Sequence, residues 1–265
     1  MKLDGCNALV TGASAGIGRE FARLLATRAK SLVLVARRSD RLEQLRAELV
    51  AKNPSLVVHL HATDVSNRPA VDELLMLLQR QEMEIDFLIN NAGLGDIGAF
   101  ATAEPEKIEH IMEVNIVALT RLTRALLPAM IQKRRGAVLN VSSSAGFLPI
   151  AKFAVYAASK AYVTSFTEAL RMETRGTGVS VCALCPGPVH TEFSEVAQRP
   201  GAKETSGPEF VYVRAAEVAR AGLDAIERDK PLRIPGLVMR IGMALVRLTP
   251  MPILRATSRF SPHSR

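Results

Sequence analysis

Tyr156 and Lys160 are separated by three residues in the stretch Tyr-Ala-Ala-Ser-Lys. On a helix, side chains four residues apart lie on one face, so this spacing brings a phenol and an ammonium into one site. A free tyrosine has a pKa of about 10, and a neighbouring ammonium lowers that pKa because it favours the phenolate. The pair is therefore a candidate general acid for a carbonyl oxygen that receives a hydride. Many helices carry this spacing by chance, so other motifs must support the interpretation.

A second candidate site is the glycine-rich segment Thr-Gly-Ala-Ser-Ala-Gly-Ile-Gly, which follows an apolar run and precedes a helical stretch. Glycines at such a junction let the backbone approach a pyrophosphate, and the helix N-terminus supplies N–H donors and a partial positive charge. The spacing is G-x-x-x-G-x-G and differs from the common G-x-G-x-x-G fingerprint. The segment predicts a nucleotide site, although a glycine-rich turn can also be only a turn. The candidate contacts are Gly12, Ser14, Gly16, Ile17 and Gly18.

The end of the predicted second strand bears on the identity of the nucleotide. A carboxylate there would bind the ribose hydroxyls of NAD(H), whereas a basic residue would bind the 2′-phosphate of NADP(H). The sequence reads Val-Ala-Arg37-Arg38 and has no carboxylate before Asp40. Because an arginine can clamp a phosphate through two hydrogen bonds, Arg37 favours NADP(H) over NAD(H). The alternative is a solvated charge at a helix start.

Short, continuous apolar runs alternate with helical patterns along most of the chain. Such runs are typical of parallel strands that are buried on both faces. The pattern predicts one α/β domain with a doubly wound, Rossmann-like parallel sheet flanked by helices. The predicted strands cover residues 6–10, 31–36, 56–61, 87–90, 137–141 and 179–184. The first predicted helix ends near residue 28, and the others cover residues 40–52, 69–81, 105–133 and 156–175.

The segment from about residue 190 to residue 209 interrupts this alternation. It is polar and contains the pairs Pro200-Gly201 and Gly207-Pro208. A long connection of this kind is often a lid over a site. We therefore predict a dinucleotide-binding and catalytic domain over residues 1–229 that includes this lid.

The net charge of +8 is concentrated at the C-terminus. Residues 230–265 contain seven Lys or Arg and no Asp or Glu, so residues 1–229 carry 27 basic and 26 acidic side chains. A nucleic-acid protein more often spreads its basic residues over one face, so no nucleic-acid partner is expected. Arg240 and Arg247 lie seven residues apart in an otherwise apolar helical pattern. This basic extension of the domain fits an oligomer contact or a cover for the substrate pocket better than a membrane-surface helix.

The cysteines and the start of the chain indicate the expected compartment. The three cysteines are odd in number, and Cys182-Ala-Leu-Cys185 lies in a strand pattern. We interpret the pair as buried strand cysteines and expect neither a redox site nor a metal site. A strand-like run begins by Cys6, which leaves no room for a targeting segment, and no run of 18 apolar residues occurs. The cytoplasm is the expected location, with peripheral membrane association as an alternative.

Read together, the motifs resemble those of the short-chain dehydrogenase/reductase family, in its form with a single nucleotide-binding domain. They keep the family's order, with thirteen residues from Ser143 to Tyr156 and twenty-eight from Asn115 to Ser143. They cover residues 6 to about 191. The matching motifs are Thr11-Gly12-x3-Gly16-x-Gly18, Asn90-Asn91-Ala92-Gly93, Asn115, Ser143, Tyr156-x3-Lys160 and Pro186-Gly187.

The resemblance implies an NADP(H)-dependent oxidoreductase that moves a hydride between nicotinamide and a carbonyl or alcohol. Tyr156 would exchange the proton, and Lys160 would lower its pKa and bind the nicotinamide ribose. Ser143 would hydrogen-bond the substrate oxygen, and Asn115 would help to hold a water in a proton relay. Family-like spacing selects Ser143 from three adjacent serines. Further cofactor contacts would come from Asp64, Val65, Asn91, Ala92, Gly93, Pro186, Gly187, Val189 and Thr191.

The residues expected to border the substrate are largely apolar, which favours a ketone, an aldehyde or a 3-oxoacyl chain. Arg199 and Lys203 in the lid are candidates for contact with an anionic group, or are plain surface charges. A second hypothesis is a binding protein that senses NADP(H) without turnover, and the intact motif set favours the enzyme. The family also implies a homodimer or homotetramer formed by the helices that contain Asn115 and Tyr156. The predicted substrate contacts are Leu94, Ile97, Phe147, Leu148, Ile150, Phe153 and Phe193.

Overall fold

A seven-stranded parallel sheet lies at the centre of the protein, whose computed structural model describes residues 1–199 and 208–258. The strand order is β3-β2-β1-β4-β5-β6-β7, and all pairs are parallel. This confirms the predicted doubly wound α/β class. The strands are β1 (Asn7–Thr11), β2 (Ser31–Ala36), β3 (Val57–Ala62), β4 (Phe87–Asn90), β5 (Gly136–Val141), β6 (Val179–Leu184) and β7 (Leu232–Arg233).

The helices follow the predicted alternation with the strands. The predicted helix over 105–133 is one continuous run in which a π-helical stretch, Glu113–Ala118, joins α4 to α5. Short 3-10 turns cover Phe100–Thr102, Ser144–Phe147 and Glu209–Val211. The α-helices are α1 (Gly16–Leu25), α2 (Ser39–Lys52), α3 (Arg68–Arg80), α4 (Pro105–Met112), α5 (Leu119–Gln132), α6 (Ala154–Glu173), α7 (Glu192–Ala197), α8 (Ala215–Glu227), α9 (Leu237–Leu248) and α10 (Met251–Ser258).

Helices cover both faces of the sheet because its strands are apolar on both sides. Successive side chains of a strand point to opposite faces. Ala8 and Val10 of β1 belong to the core that α1, α2 and α8 share, and this core includes Phe21. Leu9 belongs to the core on the other face, where α3, α5 and α6 contribute residues such as Leu122.

The sequence analysis did not predict β7, α7, α8 or α10. β7 has only two residues, too few for a readable pattern, yet it pairs with β6 and brings the basic extension onto the sheet edge. α8 packs on α1 through its buried stripe. The predicted lid contains α7, and residues 200–207, with Lys203, lie outside the described residues.

The run Pro105–Gln132 is, among the described residues, the one helix long and apolar enough to cross a membrane by length and composition, with a mean hydropathy of 1.4. The sequence analysis expected no such segment because it counted only uninterrupted apolar runs. In the structure, α5 packs on β4 and β5, and its Leu122 and Met130 are buried in the core. The run is therefore a core helix of this α/β domain.

The order of the strands fixes where a ligand can bind. β1 and β4 are neighbours in the sheet. The strands that follow β1 in the chain lie on one side of this pair, and the strands that follow β4 lie on the other side. Open α/β sheets bind ligands in the crevice outside the carboxyl ends of the strands at such a point. The loops that follow β1, β4 and β5 meet there and carry the predicted motifs.

Candidate active site

The glycine-rich turn after β1 has the backbone geometry that its sequence requires. Gly12 and Gly16 have φ values of +66° and +51°, a left-handed region that favours glycine. A Cβ atom on Gly18 would lie 2.2 Å from the carbonyl oxygen of Gly12. Gly18 therefore permits close packing beneath the turn, and it is not among the residues that line the cavity.

Thr11 and Asn91 hold the glycine turn against the loop after β4. The Thr11 hydroxyl accepts hydrogen bonds from the backbone N–H groups of Asn91 and Ala92, each at 3.0 Å. The Asn91 amide donates to the carbonyl oxygens of Thr11 at 2.9 Å and Gly12 at 3.3 Å. These bonds join the carboxyl ends of β1 and β4, so the two motifs form one rigid wall.

A cavity of about 560 Å³ extends from the end of β2 to the start of α6. It brings together most of the residues that the sequence analysis assigned to a cofactor. These lining residues are Gly12, Ser14, Gly16, Ile17, Arg37, Asp64, Val65, Asn91, Ala92, Gly93, Tyr156, Lys160, Pro186, Gly187, Val189 and Thr191.

Tyr156 and Lys160 lie at the buried end of this cavity, in the first turns of α6. Their side chains are close, with the Lys160 Nζ atom 5.7 Å from the centroid of the Tyr156 ring. The tyrosine ring stacks on Phe153 at 4.2 Å between centroids and contacts Phe193 at 5.2 Å. The Lys160 ammonium donates to the Val141 carbonyl oxygen at 2.9 Å. The phenol therefore sits in an aromatic environment beside a fixed positive charge.

Burial shifts the pKa of both residues toward their neutral forms. It raises the pKa of Tyr156 to about 12, and a hydrogen bond with Ser143 offsets part of this shift. It lowers the pKa of Lys160 to about 8. The sequence analysis expected a tyrosine pKa below its ordinary value, and in this structure the pKa lies above it. Desolvation is the largest cause, because the phenol is buried.

The structure distinguishes the three adjacent serines, and Ser143 is the one beside Tyr156. The Ser142 hydroxyl donates to the Lys160 carbonyl oxygen at 2.7 Å and so anchors β5 to α6. The Ser143 hydroxyl accepts a hydrogen bond from the backbone N–H of Ala145 at 3.1 Å, and it lies close enough to Tyr156 to lower the pKa of the phenol. Ser143 lines the cavity in the position from which it could contact a substrate oxygen.

Asn115 is buried behind the cavity and does not line it. Its amide oxygen accepts from the backbone N–H of Leu94, and its amide nitrogen donates to the Leu94 carbonyl and to Ser159, all at 2.9 Å. Both amide protons are used within the protein, so the side chain positions the loop after Gly93. Ser159 was missed by the sequence analysis, although it lies within the Tyr156-x3-Lys160 motif.

The end of the cavity next to β2, where the adenosine is expected, is exposed and contains Arg37 and Arg38. The Arg37 side chain is 62% exposed, and its nearest carboxylate is Asp64 at 4.0 Å. Arg38 pairs with Glu192 of α7 at 2.7 Å, and Arg41 also pairs with Glu192. These two arginines lower the pKa of Glu192. The sequence analysis did not predict that Arg38 and Glu192 line the cavity. For Arg38, its position next to Arg37 in the sequence could have indicated this.

The end of the cavity beside Tyr156, where the substrate is expected, is lined largely by apolar residues. One predicted residue, Phe147, lies elsewhere and packs beneath α9, with the Arg247 guanidinium 5.6 Å from its ring centroid. Val196 and Tyr212 line the cavity and were not predicted. The predicted residues that do line it are Leu94, Ile97, Leu148, Ile150, Phe153 and Phe193.

Arg199 is held by the protein itself, which corrects its candidate role as an anion contact. It donates to the Asp96 carboxylate at 2.5 Å and to the carbonyl oxygens of Ala99 and Thr102 at 3.1 Å. Lys107 binds the same carboxylate at 3.2 Å. This network fastens Arg199, which lies shortly after α7, to the loop after β4.

The cysteines are free and buried, as predicted, with Cys182 inside β6 and Cys185 directly after it. Burial raises the pKa of each thiol to about 12, which keeps the thiols protonated. Within residues 1–199 and 208–258, no group of three or more His, Cys, Asp or Glu side chains is placed to hold a metal ion.

These features together fit a phosphorylated dinucleotide. The glycine turn and the start of α1 leave room for a pyrophosphate at a helix N-terminus. Arg37 and Arg38 lie at the end where an adenosine phosphate would reach, and Tyr156 with Lys160 lies at the nicotinamide end. The cavity thus joins a cationic end, a backbone N–H cradle and a buried proton donor in one space.

Comparison with known proteins agrees with this geometry. Residues 6–200 match the family described as short chain dehydrogenase. An NADP-dependent 3-hydroxy acid dehydrogenase of Salmonella typhi is 40% identical over 71% of this chain and 75% of its own length. A short chain dehydrogenase of Pseudocercospora fijiensis is 37% identical over 72% of this chain, which spans 62% of that relative's length. A short-chain dehydrogenase of Sphingobium yanoikuyae, solved with NADPH, is 31% identical and superposes with a TM-score of 0.81, covering 98% of this chain and 96% of that one.

Proposed function

The chain belongs to the short-chain dehydrogenase family of oxidoreductases, and on that premise we propose that it reduces the carbonyl group of an apolar substrate with NADPH, or oxidises the matching alcohol with NADP. The observation that carries the proposal is the composition of one cavity. An exposed arginine end, a glycine turn, the buried pair of Tyr156 and Lys160 and an apolar wall share that space.

Arg37 is the proposed ligand of the adenosine 2′-phosphate. Its guanidinium is exposed and is 4.0 Å from the nearest carboxylate, so it has free donors for a phosphate. Two similar proteins support NADP(H), since one is called NADP-dependent and the other was solved with NADPH. NAD(H) is the less favoured cofactor because no carboxylate occupies the end of β2. When bound, the nicotinamide supplies or accepts the hydride.

Tyr156 is the proposed general acid. With its pKa raised to about 12 it is protonated at neutral pH, so it can donate its proton to a carbonyl oxygen as hydride arrives. Ser143 hydrogen-bonds the same oxygen and fixes its position. The Lys160 ammonium favours the phenolate that remains, and Asn115 acts as a positioning residue through Leu94 and Ser159.

The proposed substrate is an aliphatic or alicyclic ketone, an aldehyde or a 3-oxoacyl chain without a free carboxylate. Phe153, Phe193 and Ile150 are among the residues that line the substrate end. A free acid would need a cation there. Of the two candidate cations of the lid, Arg199 is the one among the described residues, and it is engaged by Asp96 and two backbone carbonyls. This predicts a preference that differs from the acid named for the Salmonella relative.

A panel of carbonyl compounds, followed by nicotinamide absorbance, tests the proposal. The matched pairs are methyl ketones and 3-oxo acids of equal chain length, with 3-oxoacyl thioesters alongside. We expect kcat/KM to rise about fourfold per added methylene, since each buried methylene contributes about 0.8 kcal/mol. Faster turnover of the free acids would overturn the substrate assignment. NADPH binding without reduction of any member would favour the alternative, a protein that senses NADP(H) without turnover.

We also propose that the protein forms a homodimer or homotetramer through the continuous helix α4–α5 and α6. These helices expose Met112, Ile131 and Tyr162, which are between 36% and 41% exposed. Light scattering on the wild type and on Tyr162→Glu tests this proposal. A monomeric wild type would contradict it.

A further inference from the structure

The outer face of α9 is apolar and exposed. Each of its five large apolar side chains is more than half exposed, and Leu248 reaches 82%. Their spacing places them within about one-third of the helix circumference. The same surface continues on α10, where Ile253 is 53% exposed. We call this surface the C-terminal apolar face, and its α9 residues are Leu237, Val238, Ile241, Leu245 and Leu248.

The inner face of α9 is anchored to the rest of the protein. Met239 and Met243 pack with Phe147, Cys185 and Ile234 in a small separate core. A Cβ atom on Gly187 would lie 2.6 Å from the Met239 side chain, so the helix fits closely against the loop after β6. Because this contact fixes the orientation of α9, the apolar residues on the opposite side are held outward.

Arginines flank this face, and carboxylates are missing from the segment. Arg240 and Arg247 are both exposed and lie on one side of α9, between its outer and inner faces. Within the part of the chain that the structure describes, neither has an ion-pair partner, and Arg247 contacts the Phe147 ring. Residues 230–265 contain seven basic residues and no acidic residue. The charges of Arg240 and Arg247, next to the apolar face, are therefore not neutralised by a carboxylate of the described residues.

We propose that the C-terminal apolar face docks the protein on an anionic lipid surface. A helix in a membrane interface buries an apolar face between the headgroups and places basic side chains beside the lipid phosphates. The arrangement of apolar and basic residues on α9 has this form. A second copy of the chain is a poorer occupant, because an isologous contact would bring the arginines of both copies together without carboxylates to balance them.

Docking would place the substrate end of the cavity close to the lipid. Gly187 lines the cavity and contacts Met239 on the inner face of α9, so the cavity wall and the C-terminal apolar face are separated by one helix. An apolar substrate dissolved in the membrane would then have a short path to Tyr156. This consequence rests on the proposed function, whereas the docking itself requires no turnover.

Vesicle sedimentation tests the docking directly. The wild type is mixed with vesicles of phosphatidylcholine alone, or of equal parts phosphatidylcholine and phosphatidylglycerol. We expect binding to the anionic vesicles only, weakened by salt. Leu245→Glu should reduce the partition coefficient at least tenfold. Arg240→Gln combined with Arg247→Gln should reduce it about thirtyfold, because each basic residue near an anionic surface contributes about 1 kcal/mol.

Val57→Glu is the matched control, since Val57 is 48% exposed at the start of the edge strand β3. It should bind vesicles as the wild type does. Every variant should bind NADPH as the wild type does, which verifies that it is folded. Leu245→Ser is included as a milder substitution at the same position. The proposal is overturned if the wild type does not sediment with anionic vesicles, or if Leu245→Glu leaves sedimentation unchanged. Loss of an oligomer in Leu245→Glu without any vesicle binding by the wild type would assign the face to a second copy instead.

Discussion

The two ends of the cavity are built in opposite ways. At the nicotinamide end, Tyr156, Lys160 and Asn115 are each at most 8% exposed, and Lys160 and Asn115 are hydrogen-bonded within the protein. At the adenosine end, Arg37 is 62% exposed and Glu192 is 41% exposed. The first end is buried and held in place by hydrogen bonds, and the second is exposed to solvent and formed by long side chains.

This difference predicts different sizes of effect. In a desolvated site, a single hydrogen bond or charge changes the free energy by several kcal/mol, because water cannot replace it. Exposed ion pairs contribute about 0–1 kcal/mol each. Substitutions at the buried end should therefore abolish turnover or alter stability strongly. Substitutions at the exposed end should adjust cofactor affinity.

The largest expected effect is that of Tyr156→Phe. The change removes the proposed proton donor and keeps the ring that stacks on Phe153. General acid catalysis accounts for roughly 10²–10⁴ in rate, so kcat with a good ketone should fall by about that factor. NADPH affinity should remain within about twofold in a fluorescence titration. Turnover that survives within a few fold would contradict the assigned role.

Lys160→Met should have the next largest effect, on stability as a function of pH. Burial lowers the lysine pKa in the folded protein from 10.5 to about 8. Between these values the unfolded chain holds more protons at this site, so the free energy of unfolding rises with pH, and below pH 8 the slope disappears. The full rise amounts to about 3 kcal/mol. Lys160→Met removes the contribution and should be the more stable protein at pH 7.

Urea denaturation of both proteins between pH 7 and pH 9.5 measures this effect. The buried thiols of Cys182 and Cys185 have raised pKa values and give the opposite slope above pH 9, but they do so in both proteins. The difference between the two curves therefore isolates Lys160. Parallel curves would mean that the ammonium is not desolvated in the fold.

Glu192→Gln should give the smallest of these effects. The carboxylate pairs with Arg38 and Arg41, so its removal frees guanidinium donors beside the proposed phosphate site. Exposed pairs of this kind contribute about 0.2–1 kcal/mol, so NADPH should bind about 1.4- to 5-fold more tightly. NADH affinity, measured in parallel by nicotinamide fluorescence, should not change. Weaker NADPH binding would indicate that Glu192 orders the arginines and does not compete with the phosphate.

The sequence predicted the fold and most residues of the cavity because their signals are local. Apolar runs identified six strands, and the motif spacing found Ser143, Tyr156 and Lys160. Contacts between distant segments left no such signal. Glu192 meets Arg38 because the start of α7 lies beside the start of α2, and Phe147 lies outside the cavity, packed beneath α9.

The predicted direction of the Tyr156 pKa shift was wrong for a related reason. Spacing alone placed Lys160 beside Tyr156, and a neighbouring ammonium lowers a phenol pKa when both groups are solvated. The extent of burial depends on the whole fold, and here desolvation outweighs the charge. Likewise, Gly18 and Asn115 occupy motif positions, but neither is among the residues that line the cavity. Gly18 packs against Gly12, and Asn115 is hydrogen-bonded to Leu94.

Equilibrium binding of NADPH and NADH to the wild type and to Arg37→Ala tests the account most directly, because it needs no knowledge of the substrate. Arg46→Ala is the matched control, since Arg46 lies on α2 outside the cavity and pairs with Glu43. We predict that the wild type binds NADPH at least tenfold more tightly than NADH. Arg37→Ala should lose about 10- to 100-fold in NADPH affinity, as expected for a charged hydrogen bond, with NADH unchanged. Equal affinity for the two cofactors, or an Arg37→Ala variant that binds NADPH as the wild type does, would contradict the account.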